Sequence, residues 1–479
     1  MSNENVKAKK HSNITYLSAG ILMLGFNTTI YAVTQNYPIY YQNLGLSIEM
    51  LFLAALVYTL WDMFNDPIIG HLSDGTYGFT RRWGKRFPWM LIGTVALLLA
   101  TVLLFSAPTV DASGEIMTFL WFLVFLSAYD GFMSAVLVNY NALIPVKFKS
   151  KSERISVSAA YQFFLILGPV VGLIVVPTIL ETGSYLIMSI FLAGFMLVSY
   201  LLSLPGLKED EELRESYFHE KTERGSFYSE FTSNLRQSFS QRSFIVFAVV
   251  TLCITVTSSI IAATVPYYIE YILQISQRLQ PQEYAQTLRT INLPFAITSL
   301  LLIPLYFWGT KKIGHMKAFK YGLLLAPLPL LLIFVSLMAG ATASMPLVMI
   351  GAGIYGICGG FIVVARIPVS ADFFDESAAK YGKRQEGIYL GIWNFFSRLV
   401  TAIQFGIFAL IQNLTSFIPP TEANPAPAQG VPAQWGIMAQ FGLVPAIALL
   451  IAGILFWRFW YLTPQKTEKI QSELEKLGI

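Results

Sequence analysis

A chain of 479 residues that is 55% hydrophobic and only 13% charged, with a mean hydropathy of +0.57, is not built like a soluble domain, in which about 25% of residues are charged. The net charge of +4 comes with no long basic or acidic block, which argues against nucleic acid as a partner. The two cysteines, Cys253 and Cys358, each lie inside an apolar run, which argues against a disulfide framework.

A helix needs roughly 20 apolar residues to cross the hydrocarbon core. Such runs predict twelve spans: 14–41, 48–74, 88–107, 116–145, 155–180, 184–205, 243–275, 287–310, 318–340, 345–372, 385–414 and 433–462. The expected class is therefore an all-α membrane protein embedded in the lipid bilayer. The segment 206–242 is the longest connection on its side. It divides the chain into a six-helix half at 1–205, a linker at 206–242 and a second six-helix half at 243–479. Within the linker Phe227, Phe231, Leu235 and Phe239 recur every four residues, which predicts an amphipathic helix lying along the bilayer.

Lysine and arginine set the orientation. They gather at Lys7, Lys9 and Lys10, at Arg81, Arg82, Lys85 and Arg86, and at Lys147, Lys149, Lys151 and Arg154. They recur at Lys311, Lys312, Lys317 and Lys320, and at Lys380, Lys383 and Arg384. The alternate connections hold only Arg278 and Arg289, so both termini are expected in the cytoplasm of a multi-pass plasma-membrane protein. The halves also echo each other. Gly70-His71-Leu72-Ser73-Asp74 with its basic loop faces Gly309-Thr310-Lys311-Lys312, and Ile144-Pro145-Val146 faces Ile367-Pro368-Val369. Weak internal repeats of this kind mark transporters that bind their cargo near the midplane.

A charge at the centre of a span costs about 2.5–3.5 kcal/mol on insertion scales. Asp62 and Asp66 fall one turn apart in span 2, so both carboxylates share a face, with Asn65 beside them. Asp130 falls near the middle of span 4. Carboxylates with an amide oxygen suit a hard cation such as Na⁺, and two neighbouring acids equally hold a proton. Arg398 lies mid-span in span 11, Arg366 is expected to snorkel or to pair with Asp372 or Asp375, and Glu270 is expected at the bilayer interface. Asp74 with Arg81, Arg82 and Arg86 fits a cytoplasmic gate. The four histidines, His11, His71, His219 and His315, are scattered without metal-ligand spacing, so neither enzyme chemistry nor a cofactor is expected.

Trp61-Asp62-Met63-Phe64-Asn65-Asp66-Pro67-Ile68-Ile69-Gly70, followed by Arg82-Trp83-Gly84-Lys85-Arg86-Phe87-Pro88-Trp89, resembles the glycoside–pentoside–hexuronide:cation symporters of the major facilitator superfamily. Asn141-Ala142-Leu143-Ile144-Pro145 and the stretch from Asp372 to Ile388 add to the resemblance, which runs the length of the chain. It implies a major facilitator fold and a coupling-cation site at Asp62, Asn65 and Asp66. It departs at the sugar ligands: the family's acid in span 1 has only Asn27 nearby, and its acid in span 4 falls on Leu137. The sugar-stacking tryptophan falls on Asn141, the arginine of span 5 on Gln162, and the lysine of span 11 lies close to Arg398.

The expected substrate site is instead lined by Tyr31, Gln35, Asn139, Tyr140, Asn141, Gln162, Trp393, Asn394 and Arg398, with Tyr267 and Gln404. Rings stack on the apolar faces of sugars and amides take their hydroxyls. The expected activity is symport of a sugar or glycoside with Na⁺ or H⁺ by a monomeric carrier. The loss of sugar ligands equally permits a lipid-like or amphipathic solute.

Overall fold

In the computed structural model the described residues are 11–477, apart from 74, 76, 149–150, 220–235, 237, 383–385, 422–423 and 425. Asp74, Lys383, Arg384 and the Phe227, Phe231 and Leu235 part of the amphipathic stripe lie outside them. Among the described residues every element is helical. The first six long helices are α1 (Asn13–Asn43), α2 (Ile48–Ser73), α3 (Phe87–Leu104), α4 (Glu115–Lys147), α5 (Lys151–Leu180) and α6 (Tyr185–Leu207). There follow α7 (Arg242–Tyr267, extended by a π turn at Tyr268–Ile272) and α8 (Pro281–Leu301, then Ile303–Ile313). Next come α9 (His315–Leu325, then Pro327–Val335) and α10 (Ala341–Tyr381). The last are α11 (Glu386–Ser397, then Leu399–Leu414) and α12 (Val431–Met438, a π turn at Ala439–Leu443, then Val444–Phe459). Short helices at Thr80–Trp83, Glu211–His219 and Pro464–Leu477 lie between or after them.

Among the described residues eleven helices are long and apolar enough to cross a membrane, and the bent pair of α8, counted as one span, makes a twelfth. The sequence predicts an unbroken span at 287–310, whereas α8 bends by 52° at Leu302. The cause is Pro304, which enters the second segment at its start and cannot donate to the preceding turn. Helix α10 runs nine residues past its predicted end at 372, to Tyr381, where Gly382 at φ +66° stops it with a left-handed cap. That extension carries Asp375, Glu376 and Lys380, charges that hydropathy reads as loop.

Contacts divide the chain into two units, Met1–Tyr40 with Leu60–Thr222 and Tyr41–Thr59 with Glu223–Ile479. In the first, α3 packs on α4 and α6; in the second, α9 packs on α10 and α12, the same pairing six helices later. In lipid, helices associate through close packing of small residues rather than through apolar burial. Thus Gly206 of α6 lies directly on the Ala19 backbone of α1, leaving no room for a Cβ. Ser18 locks that contact, donating to the Leu202 carbonyl at 2.7 Å and accepting from the Gly206 N–H at 3.0 Å. The second unit takes in the tip of the α1–α2 hairpin, where Gln42 donates to Gln412 at 2.9 Å and the Phe52 ring covers Gly406.

Candidate cation-binding site

Helix α2 shows two faces. Leu60, Phe64 and Ile68 recur every four residues and stand exposed, the pattern of a lipid-facing stripe. Off that stripe, Asp62 and Asn65 are 4% and 1% exposed, and Asp66 is half-buried. Helix α4 presents Asp130 and Ser134, one turn apart and both buried. The Asn65 amide donates to the Asp130 carboxylate, and Ser134 Oγ donates to Asn65 Oδ1 at 3.3 Å. One turn away Trp61 Nε1 donates to the Ser127 carbonyl at 3.1 Å, with Gly131 lying against its ring. Two successive turns of each helix are thereby joined. The buried acids sit among oxygen donors of three kinds: carboxylate, amide and hydroxyl.

Hard cations prefer oxygen ligands. The arrangement offers them through Asp62, Asp130 and Asn65, with Asp66 at the margin and Ser134 orienting the Asn65 amide. Among the described residues no three His, Cys, Asp or Glu side chains gather closely enough to hold a metal ion by themselves. Ser134 escaped the sequence reading because serine in an apolar run carries no charge signal.

The residues expected to line a substrate site fall in both units. In the first, Gln35 is buried, Tyr31 is half-buried, and the Gln35 Nε2 has no partner among the described residues. Asn139 is buried, donates to the Ala135 carbonyl at 2.8 Å and accepts from Arg86 at 3.4 Å. Tyr140 is buried and gives its hydroxyl to the Ala19 carbonyl at 3.1 Å, a tie between α4 and α1. Asn141 and Gln162 are exposed, and Asn27 is turned back to the Met23 carbonyl of its own helix. In the second unit Trp393 is half-buried, Asn394 is exposed, and Arg398 stands at the break in α11. Tyr267 is buried against Phe408 and Phe417, and Gln404 accepts from Ser259.

The basic loop after α2 is held by a residue the sequence reading missed. Glu209, just past α6, accepts the backbone N–H groups of Lys85, Arg86 and Phe87 at 3.0, 2.7 and 2.9 Å. A carboxylate there also meets the positive end of the α3 dipole. Gly84, at φ +94°, allows this approach, since a Cβ would lie 2.5 Å from the Glu209 carboxyl carbon. Arg86 reaches Ser73 at 2.9 Å, while Arg81 and Arg82 are exposed. Lys147 gives its ammonium to the carbonyls of Gly206 and Lys208 at 2.8 and 2.7 Å. Burial lowers its pKa, against the opposing pull of Asp210 and Glu209.

Glu270 is 1% exposed, accepts the Asn43 amide and the Gln277 N–H, and has Arg278 nearby. Asp372 pairs with His315 at 2.8 Å, where the α9 start lies against the extended α10.

Twelve apolar helices with acids and amides buried within them define a polytopic membrane transporter. Its fold matches, with a TM-score of 0.57 at 14% identity, a bacterial homologue of the human lysosomal transporter Spinster in an inward-facing, unoccupied crystal form. That match covers 96% of this chain and 97% of the other, and gives the major facilitator fold. The chain belongs to the MFS/sugar transport protein family, whose model matches residues 16–462, and with it to the glycoside–pentoside–hexuronide symporters. It is 23% identical to the glucuronide carrier protein homolog of Escherichia coli K12, over 88% of this chain and 86% of that protein. It is 20% identical to the sodium-dependent lysophosphatidylcholine symporter 1 of Mus musculus, over 87% of this chain and 79% of that one. Family and fold are those of membrane transporters rather than of enzymes.

Proposed function

We infer that the chain is a cation-coupled symporter of a sugar or glycoside, and that the driving ion, Na⁺ or H⁺, is taken up at Asp62 with Asn65, Asp66 and Asp130. The observation that carries this reading is the burial of Asp62, Asn65, Asp130 and Ser134 inside apolar helices, with Asn65 joined to both Asp130 and Ser134. Burying charge in this way is costly, and acids inside spans are functional by default. The carrier works by alternating access, opening its site to one side of the bilayer and then to the other. The six-helix halves at 1–205 and 243–479, linked by 206–242, are the proposed moving bodies. The alternation of lysine and arginine between connections supports cytoplasmic termini in the plasma membrane. No catalytic role is assigned to any residue, and the carrier acts as a monomer.

The substrate side chains are proposed at Tyr31, Gln35, Asn139, Tyr140, Asn141, Gln162, Trp393, Asn394 and Arg398, and the gate at Asp74, Arg81, Arg82 and Arg86. A second reading, an amphipathic or lipid-like solute, is favoured by the lysophosphatidylcholine symporter among the relatives and by the neutral residues where the family's sugar ligands fall.

Uptake into proteoliposomes under an imposed Na⁺ or pH gradient, across a panel of sugars, glycosides and lysolipids, tests both readings. The wild type accumulates one class under one gradient. Asp62→Asn inserts normally and loses the gradient dependence. Coupled uptake by that variant at the wild-type rate overturns the ion-site assignment.

A further inference from the structure

The cluster in question stands apart from the acids of α2 and α4. At the start of α7, Ser240, Gln241 and Arg242 line a cavity of about 230 Å³ together with Glu376 and Lys380 of α10 and with Tyr461, which follows α12. All belong to the second unit. Glu376 is already committed to the wall: it accepts from Gln241 Nε2 at 3.0 Å and from the hydroxyls of Ser243 and Tyr461 at 2.5 Å each. The two cations are not. Among the described residues Arg242 and Lys380 have no carboxylate within ion-pair distance, and both are exposed. The Arg242 guanidinium lies over the rings of Phe459 and Tyr461, at 5.5 and 5.8 Å, and the Lys466 ammonium lies 4.2 Å from the centroid of the Tyr461 ring.

Two further observations say what would fill the space. Helix α7 begins at Arg242 with no side-chain cap, so the positive end of its dipole is open to an anion. Gln241, 3% exposed, keeps its Oε1 buried with no donor, which calls for a ligand that also carries an O–H or N–H. Phe459, at the end of α12 and beneath the Arg242 guanidinium, is 41% exposed, as aromatic side chains are where a helix leaves the bilayer.

We propose that this cavity binds the phosphate of a phospholipid headgroup carrying a hydroxyl or ammonium donor, held by Arg242, Lys380 and the α7 N-terminus with Gln241 Oε1 taking the donor. On the orientation proposed above, the lipid belongs to the cytoplasmic leaflet. Basic pockets between helices on that side suit anionic headgroups. The site is independent of the driving-ion site, so its test does not depend on symport.

The test measures lipid retention by native mass spectrometry and thermal stabilisation of the full chain in detergent. The probes are phosphatidylglycerol, phosphatidylcholine, glycerol 3-phosphate and inorganic phosphate. Phosphatidylglycerol is retained by the wild type in preference to phosphatidylcholine, whose quaternary ammonium has no donor for Gln241. Arg242→Gln and Lys380→Gln, both exposed positions, each weaken retention about fivefold, whereas Lys320→Gln leaves it unchanged. Equal stabilisation by glycerol 3-phosphate overturns the lipid source in favour of a soluble phosphate. Retention unmoved by either variant overturns the site.

Discussion

The side-chain amide of Asn43, the last residue of α1, donates to both carboxylate oxygens of Glu270, at 3.2 and 3.4 Å, inside the second unit. The Gln277 N–H donates to the same carboxylate at 3.3 Å, Tyr271 gives its hydroxyl to Asn43 Oδ1 at 3.3 Å, and Arg278 donates to the Asn43 carbonyl at 3.0 Å. These groups fasten the hairpin tip to the π turn that ends α7. Glu270→Ala leaves a buried amide and a buried N–H without their acceptor, at about 1–3 kcal/mol for each group stranded. The thermal midpoint of the variant in detergent falls by several degrees. Glu270→Gln, which keeps the shape and one acceptor, falls less. Equal midpoints for wild type and Glu270→Ala would remove the network from any structural role.

Among the described residues Ser134 reaches the proposed ion site through Asn65, and its hydroxyl is expected to position that amide rather than to bind the ion. Removing such an outer partner from a cation site typically weakens affinity about 10–100-fold. Ser134→Ala is expected to raise the ion concentration needed for half-maximal uptake by about tenfold or more while the maximal rate stays near wild type. Ser134→Thr restores it. A loss of rate without a change in ion dependence would count against the assignment.

Gly84 and Glu209 form one device. Gly84→Ala both strains a left-handed backbone position and drives a methyl into the Glu209 carboxyl. Left-handed strain alone costs about 1–3 kcal/mol. Expression falls and proteolysis rises within the 77–87 loop. Glu209→Gln keeps one acceptor oxygen but removes the charge at the α3 N-terminus, and loses less. Limited proteolysis of the three proteins side by side reads the order.

Tyr461 supplies a pH test of the wall of the proposed headgroup cavity. Burial first, then its bond to Glu376, pushes the phenol up to about 12 from the usual 10. The unfolded chain loses this proton at lower pH than the folded one. The stabilisation is therefore complete below pH 10 and disappears as pH rises through about 12. Tyr461→Phe is expected to fall less steeply in stability across that window than wild type, when both are followed by tryptophan fluorescence.

Much of this molecule was legible in one dimension. Twelve apolar runs and the spacing of their basic connections gave the fold class, because hydropathy and length are the bilayer's own requirements. Asp62, Asn65 and Asp130 stood out because a polar group in an apolar run is costly whatever surrounds it. What needed the tertiary structure was partnership. Ser134 gains meaning only because α4 brings it to Asn65. Glu209 is one of four consecutive acids and is singled out only where Gly84 lets the loop close on it. Glu270 finds its partner in a residue 227 positions away, Asn43. Sequence fixes which groups are expensive to bury. Only the packing of distant helices decides which of them are satisfied, and by what.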